Sequence, residues 1–293
     1  MSVLREGGIE ATNPLGLDGI EYVEYTTSSP QAMGQVLEKM GFRPVARHRS
    51  REVLLYRQGD MNVIVNAHPG VVRGGLAPTE HPRIAAVALR VRDARAAYEY
   101  VLERGAWEVP PHAQVMELNI PGIHGPGGAH FYFVDRHREF SIYDVDFTVI
   151  PTVDPRPPAL AGLHWFGIVQ YVGRGRTEDW CEFYRELFSM NVLPEEQRYG
   201  ILPKGTLLDS PCHQFMVQLV EPDPATVAYD EQELLHRVGL GAPDVPGAVA
   251  LLRQRGVEFF EKAGQPDEAR GALTRHYLHS LVFELVHDTR SAS

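Results

Sequence analysis

The sequence predicts an α+β fold in two similar halves, with curled mixed sheets backed by helices, on three observations. A helix-like pattern ending in glycine begins at Asp93 and again at Asp244, an offset of 244 − 93 = 151 residues. Apolar residues elsewhere alternate with period two, as strands require. Four prolines crowd the ten residues 149–158, the composition of a semi-rigid linker. A chain of 293 residues suits two domains, because single cores stop growing near ~250–300 residues. The boundary falls in that proline run, giving domains over residues 1–150 and 159–293.

Taken in order, residues 19–25 read as a strand and 30–41 as a helix. Residues 53–57 and 61–65 alternate as antiparallel strands, and 84–91 form another strand. In residues 93–105 an Asp stands at the N-cap, apolar residues follow at three- and four-residue spacing, and Gly105 stands where a left-handed C-terminal residue belongs. Residues 130–134 then close the first half as a strand. The second half repeats the plan. Strand 166–172 leads into helix 177–188, strand 236–241 into helix 244–256, and the apolar run 281–286 follows.

Composition excludes several function classes. Hydrophobic residues at 44% and charged residues at 23% are those of an ordinary soluble globular protein. Lys+Arg 28 against Asp+Glu 38 gives a net charge of −10, which argues against a nucleic-acid partner. No apolar stretch approaches the ~20 residues of a membrane span, and no leader-like segment opens the chain. The two cysteines, Cys181 and Cys212, fit no CxxC motif, so a cytoplasmic location is expected. A glycine-rich phosphate loop, a nucleophile elbow and HExxH are all lacking.

Chemistry must therefore come from scattered side chains. Glu284 lies in the apolar run Leu281-Val-Phe-Glu-Leu-Val286, where a carboxylate is costly to bury unless it is paired, protonated or bound to metal. His164, His236, His276 and His279 stand in strand-like parts of the same half. Subtracting the offset places Phe133 under Glu284 and Ala85 under His236, so the first half reads as structural and the second as the working half. Two imidazoles and a carboxylate form the facial arrangement suited to Fe(II) and dioxygen, and His164, His236 and Glu284 are the candidate metal ligands. Arg275, His276 and His279 are candidates for substrate contact or proton transfer.

Several stretches resemble 4-hydroxyphenylpyruvate dioxygenase and hydroxymandelate synthase, of the vicinal oxygen chelate superfamily. They include Asn13-Pro-Leu-Gly-Leu-Asp-Gly19, Met116-Glu-Leu-Asn-Ile-Pro121, Arg174-Gly-Arg176, Ser210-Pro-Cys212 and Phe283-Glu-Leu285. The resemblance implies two domains of paired βαβββ modules and an Fe(II) site of two His and one Glu in the second domain. Glu284 matches the family's glutamate. Ungapped counting places Gly167 and Arg237 at the two histidine positions, and a one-residue bulge near Gly239 and Gly241 would restore His236. The family's substrate-recognising serine and asparagine fall at Gly205 and Val220, and the sequence stops at Ser293, short of the family's closing helix.

The implied function is an Fe(II)- and O2-dependent oxygenase acting on a small aromatic or heteroaromatic substrate other than 4-hydroxyphenylpyruvate, in specialised biosynthesis. The alternatives are a metal-free ligand-binding member and a zinc or manganese lyase or isomerase. Homo-oligomerisation is left open.

Overall fold

The computed structural model describes residues 12–68, 75–110, 118–137, 140–194, 205–221, 233–260 and 270–289. The first sheet draws on β1 (Ile20–Thr26), β2 (Arg43–His48), β3 (Val53–Gln58), β4 (Met61–Asn66), β5 (Arg83–Arg90), β6 (Gly122–His124), β7 (His130–Val134) and β8 (Phe147–Val149). Its helices are α1 (Pro30–Lys39), α2 (Ala94–Leu102) and the short α3 (Ile142–Asp146). The second sheet draws on β9 (His164–Tyr171), β10 (Asn191–Val192), β11 (Thr206–Asp209), β12 (Met216–Val220), β13 (Leu234–Ala242), β14 (Gly271–Leu273) and β15 (Phe283–His287). It is served by α4 (Thr177–Phe188) and α5 (Val245–Gln254).

The strand orders are β6-β7-β5-β1-β4-β3-β2-β8 and β10-β11-β12-β9-β13-β15-β14. Leaving out β8 and reading the first in reverse makes the two orders identical, module for module. The sheets are nevertheless open, which corrects the expectation of curled sheets. In each, the two end strands pair with one neighbour only, and at two or three residues they are too short to reach round and join.

Local chemistry explains the helices. In α1, Met33, Val36 and Leu37 recur at three- and four-residue spacing and are buried. Helix α2 starts where Asp93 Oδ1 accepts from the backbone N–H of Ala96 at 2.9 Å, and α5 where Asp244 Oδ1 accepts from that of Gly247 at 3.1 Å. Gly105 and Gly256 follow them at φ 88° and 82°, the left-handed conformation anticipated for both.

One apolar core runs through both halves. Phe131 on β7 packs against Phe188 and Tyr184 of α4, with ring centroids 5.2 and 6.2 Å apart. Arg255, just past α5, donates to the carbonyls of Lys39 and Glu38 at 2.9 and 2.7 Å, so the second half caps the C-terminal end of α1. No helix among the described residues is long and apolar enough to cross a membrane.

Candidate functional site

On the second sheet, Met216, Gly167, Gly239 and Glu284 stand side by side across β12, β9, β13 and β15. Gln218, Val169 and Arg237 make the next row, two residues along each strand and so on the same face. Gly167 and Gly239 leave the middle of that face without side chains. A cleft of about 310 Å³, open mouth included, lies there, with Phe166, Leu207, Met216 and Val286 as apolar walls and Gln218 and Glu284 as polar groups.

Glu284 does not wait for a metal. Arg237 Nε donates to its Oε2 at 2.9 Å, and the two side chains are only 2% and 4% exposed. The register explains the meeting. Leu235 pairs with Gln170 and Arg237 with Val169, so His236 is the extra residue of a bulge. This bulge at His236 presents Arg237 to Glu284, and it is separate from the irregularity that the glycines anticipate. A second irregularity falls at Gly239 and Leu240.

The three candidate ligands are not gathered. His164 lies with Nε2 3.1 Å from Asp288 Oδ2 and Nδ1 3.0 Å from the carbonyl of Gly162. His236 stacks on Tyr171, centroids 4.1 Å apart and planes at 11°, and its Nδ1 accepts from Arg237 Nη1 at 3.2 Å. Burial, then the Arg237 charge and His276, push the His236 imidazole down to about 3, so it stands neutral. Arg237 Nη2 is buried with no acceptor among the described residues.

Arg275, His276 and His279 lie on the turn after β14, exposed. Arg275 is 3.9 Å from Glu258, the His276 ring meets the edge of Phe260 at 5.7 Å, and His279 packs on His81 at 4.9 Å. None of the three lines the cleft. Gln218 and Met216, which do, were not singled out from sequence; their place in the period-2 run beside β9 was the available signal.

The donor set can be tested against a divalent metal. Gly167 offers no ligand, and an added Cβ there would fall on the backbone oxygen of Met216, far inside van der Waals contact. Arg237 brings a fixed positive charge to the remaining carboxylate. Among the described residues no group of three or more His, Cys, Asp or Glu stands close enough to hold an ion. These residues do not fit iron.

Comparison with known proteins places the chain. The family model "Hydroxyphenylpyruvate dioxygenase, HPPD, N-terminal" matches residues 11–148. Hemolysin VllY of Vibrio vulnificus is 33% identical over 266 residues, covering 86% of this chain and 74% of that protein. The 4-hydroxyphenylpyruvate dioxygenase of Pseudomonas aeruginosa is 32% identical over the same length, covering 86% and 73%. The chain belongs to the 4-hydroxyphenylpyruvate dioxygenase family. A variant of 4-hydroxymandelate synthase from Streptomyces coelicolor shares the fold, with TM-score 0.72 at 17% identity over 95% of this chain and 94% of that one. This family member thus keeps an enzyme scaffold of the vicinal oxygen chelate type.

Proposed function

We propose that this family member binds a small aromatic or heteroaromatic molecule in the second-sheet cleft without a metal. The Arg237–Glu284 ion pair carries the reading. A guanidinium already neutralises the carboxylate, so a divalent ion arriving there would meet repulsion and would have to break a buried pair. The walls of Phe166, Leu207, Met216 and Val286 suit a flat apolar body, and Gln218 supplies a polar handle for orientation.

The test is metal analysis of protein purified without chelators and then offered Fe(II) anaerobically. The expected outcome is iron far below one per chain and unchanged in Glu284→Gln, with saturable binding of small aromatic molecules that a chelator does not alter. One iron per chain, lost in Glu284→Gln, would refute the proposal.

A second reading is favoured by Glu284 standing in the cleft and by the dioxygenase relatives: an Fe(II)-dependent oxygenase using His164, His236 and Glu284 as ligands, with Arg275, His276 and His279 near the substrate. It requires Arg237 to leave Glu284 and both imidazoles to leave Asp288 and Tyr171. Fe(II)-dependent O2 uptake with an aromatic substrate is the outcome that would select it.

A further inference from the structure

Two imidazoles from different halves meet at the surface. His81 stands just before β5 in the first half, and His279 stands in the turn between β14 and β15 in the second. Their ring centroids lie 4.9 Å apart with planes at 73°, and both residues are exposed. Among the described residues neither ring is engaged with any other side chain.

The backbone beneath each ring is fixed. On the first side, Thr79 Oγ1 donates to the His81 carbonyl at 2.8 Å, and the Thr79 carbonyl accepts from the backbone N–H of Ser28 at 2.8 Å. On the second, Tyr277 and Leu281 exchange backbone hydrogen bonds at 2.9 and 2.8 Å and close a tight turn. Within it Leu278 and His279 both take the left-handed conformation, at φ 47° and 68°, which is strained for side chains of their kind. Ser280 Oγ then donates to the Pro82 carbonyl at 2.6 Å and ties one turn to the other. The two rings are thus presented together by anchored backbone from both halves.

Two imidazoles held side by side form a chelate for ions of intermediate softness, such as Zn(II), Ni(II) and Cu(II), whereas Mg(II) and Ca(II) select oxygen. The spacing agrees. An ion about 2.0–2.1 Å from one nitrogen of each ring lies about 3.2 Å from each ring centre, so square to tetrahedral angles set the centres about 4.5–5.2 Å apart. The observed 4.9 Å falls inside that span. Turning the nitrogens towards one point needs rotation about χ2 only, which is soft for histidine, and the exposed rings are free to make it.

We propose that His81 and His279 bind one divalent transition ion, with water in its remaining positions, and that the ion staples the two halves together. The site stands apart from the cleft on the second sheet and does not depend on the reading of it. It also gives the strained turn at His279 a purpose.

The experiment titrates the full, untagged chain with Zn(II) by calorimetry and repeats the thermal melt with and without the ion. Wild type should bind one Zn(II) saturably and melt higher when loaded, because the ion holds both halves only in the folded state. His81→Ala and His279→Ala should each bind about a hundredfold more weakly, the low end of what joining two weak sites gains, and should lose the rise in midpoint. The double variant should be little weaker than either single one, since one imidazole alone is already a poor site. His81→Cys, which keeps a zinc ligand at the position, should retain binding. Absence of saturable binding or full affinity in His81→Ala would overturn the proposal. So would zinc binding that is lost in Glu284→Gln yet kept in His81→Ala, which would place the ion in the cleft. If His279→Ala does not fold, His81→Ala against His81→Cys decides alone.

Discussion

Replacing Arg237 by Met would leave the Glu284 carboxylate, 4% exposed, without its counter-charge. Breaking a buried pair by removing one partner costs about 3–5 kcal/mol. Coulomb's law agrees in scale, since opposite charges about 4 Å apart at an effective dielectric near 20 attract by about 4 kcal/mol. The double replacement Arg237→Met with Glu284→Leu removes both charges and both desolvation costs, so it should lie within about 1 kcal/mol of wild type or above it. For domains of this size about 1 kcal/mol moves the thermal midpoint by roughly 2–4 °C, so the single change should lower it by roughly 6–20 °C and the double change by little. Calorimetry of the three proteins, with and without chelator, makes the comparison. A single variant within about 0.5 kcal/mol of wild type, or a double variant as unstable as the single, would refute the pairing as the state of Glu284.

Two further outcomes follow from the same face. His236 is held at about 3 when folded against about 6.5 when unfolded, so the unfolded chain takes up its proton first as pH falls. Its contribution is whole above about pH 6.5 and is lost towards pH 3, up to roughly 4–5 kcal/mol, and urea titrations at stepped pH should show this slope flattened in His236→Gln. Gly167→Ala would drive a methyl onto the Met216 backbone oxygen, and should cost about 1–3 kcal/mol or more, read as a lowered thermal midpoint; an unchanged midpoint would show that β9 and β12 can part.

The helices and most strands were legible because their signals are local. Asp93 and Asp244 cap, Gly105 and Gly256 terminate, and the apolar period between them is unbroken. The openness of the sheets was not legible, because it depends on strand length at the edges, and β10, β14 and β6 are too short for a period-2 pattern to register. The site was legible only in part, since it depends on register across strands. The equivalent positions are Tyr22 and Gly167, Ala88 and Gly239, Tyr132 and Glu284, which gives offsets of 167 − 22 = 145, 239 − 88 = 151 and 284 − 132 = 152. A single offset of 151 therefore slips by one on the last strand and selects Phe133, which faces the core, in place of Tyr132. In a sheet a slip of one residue exchanges the two faces.

The partner of Glu284 illustrates how residue type and placement compete. A carboxylate in an apolar run must find a compensating charge, and the same half offers two imidazoles to a metal or one guanidinium directly. Chemical type alone favours the imidazoles, because histidine is the usual metal ligand. Placement favours the guanidinium. Strand β13 runs parallel to β15 with Gly239 opposite Glu284, so Arg237 is on the same face two residues away, within reach of its long side chain. His236, displaced by the bulge, finds Tyr171 as a stacking partner and serves Arg237 as an acceptor. An Arg and a Glu that interrupt neighbouring apolar strands two residues out of step are thus better read as each other's partners than as separate anomalies, because each removes the cost of burying the other.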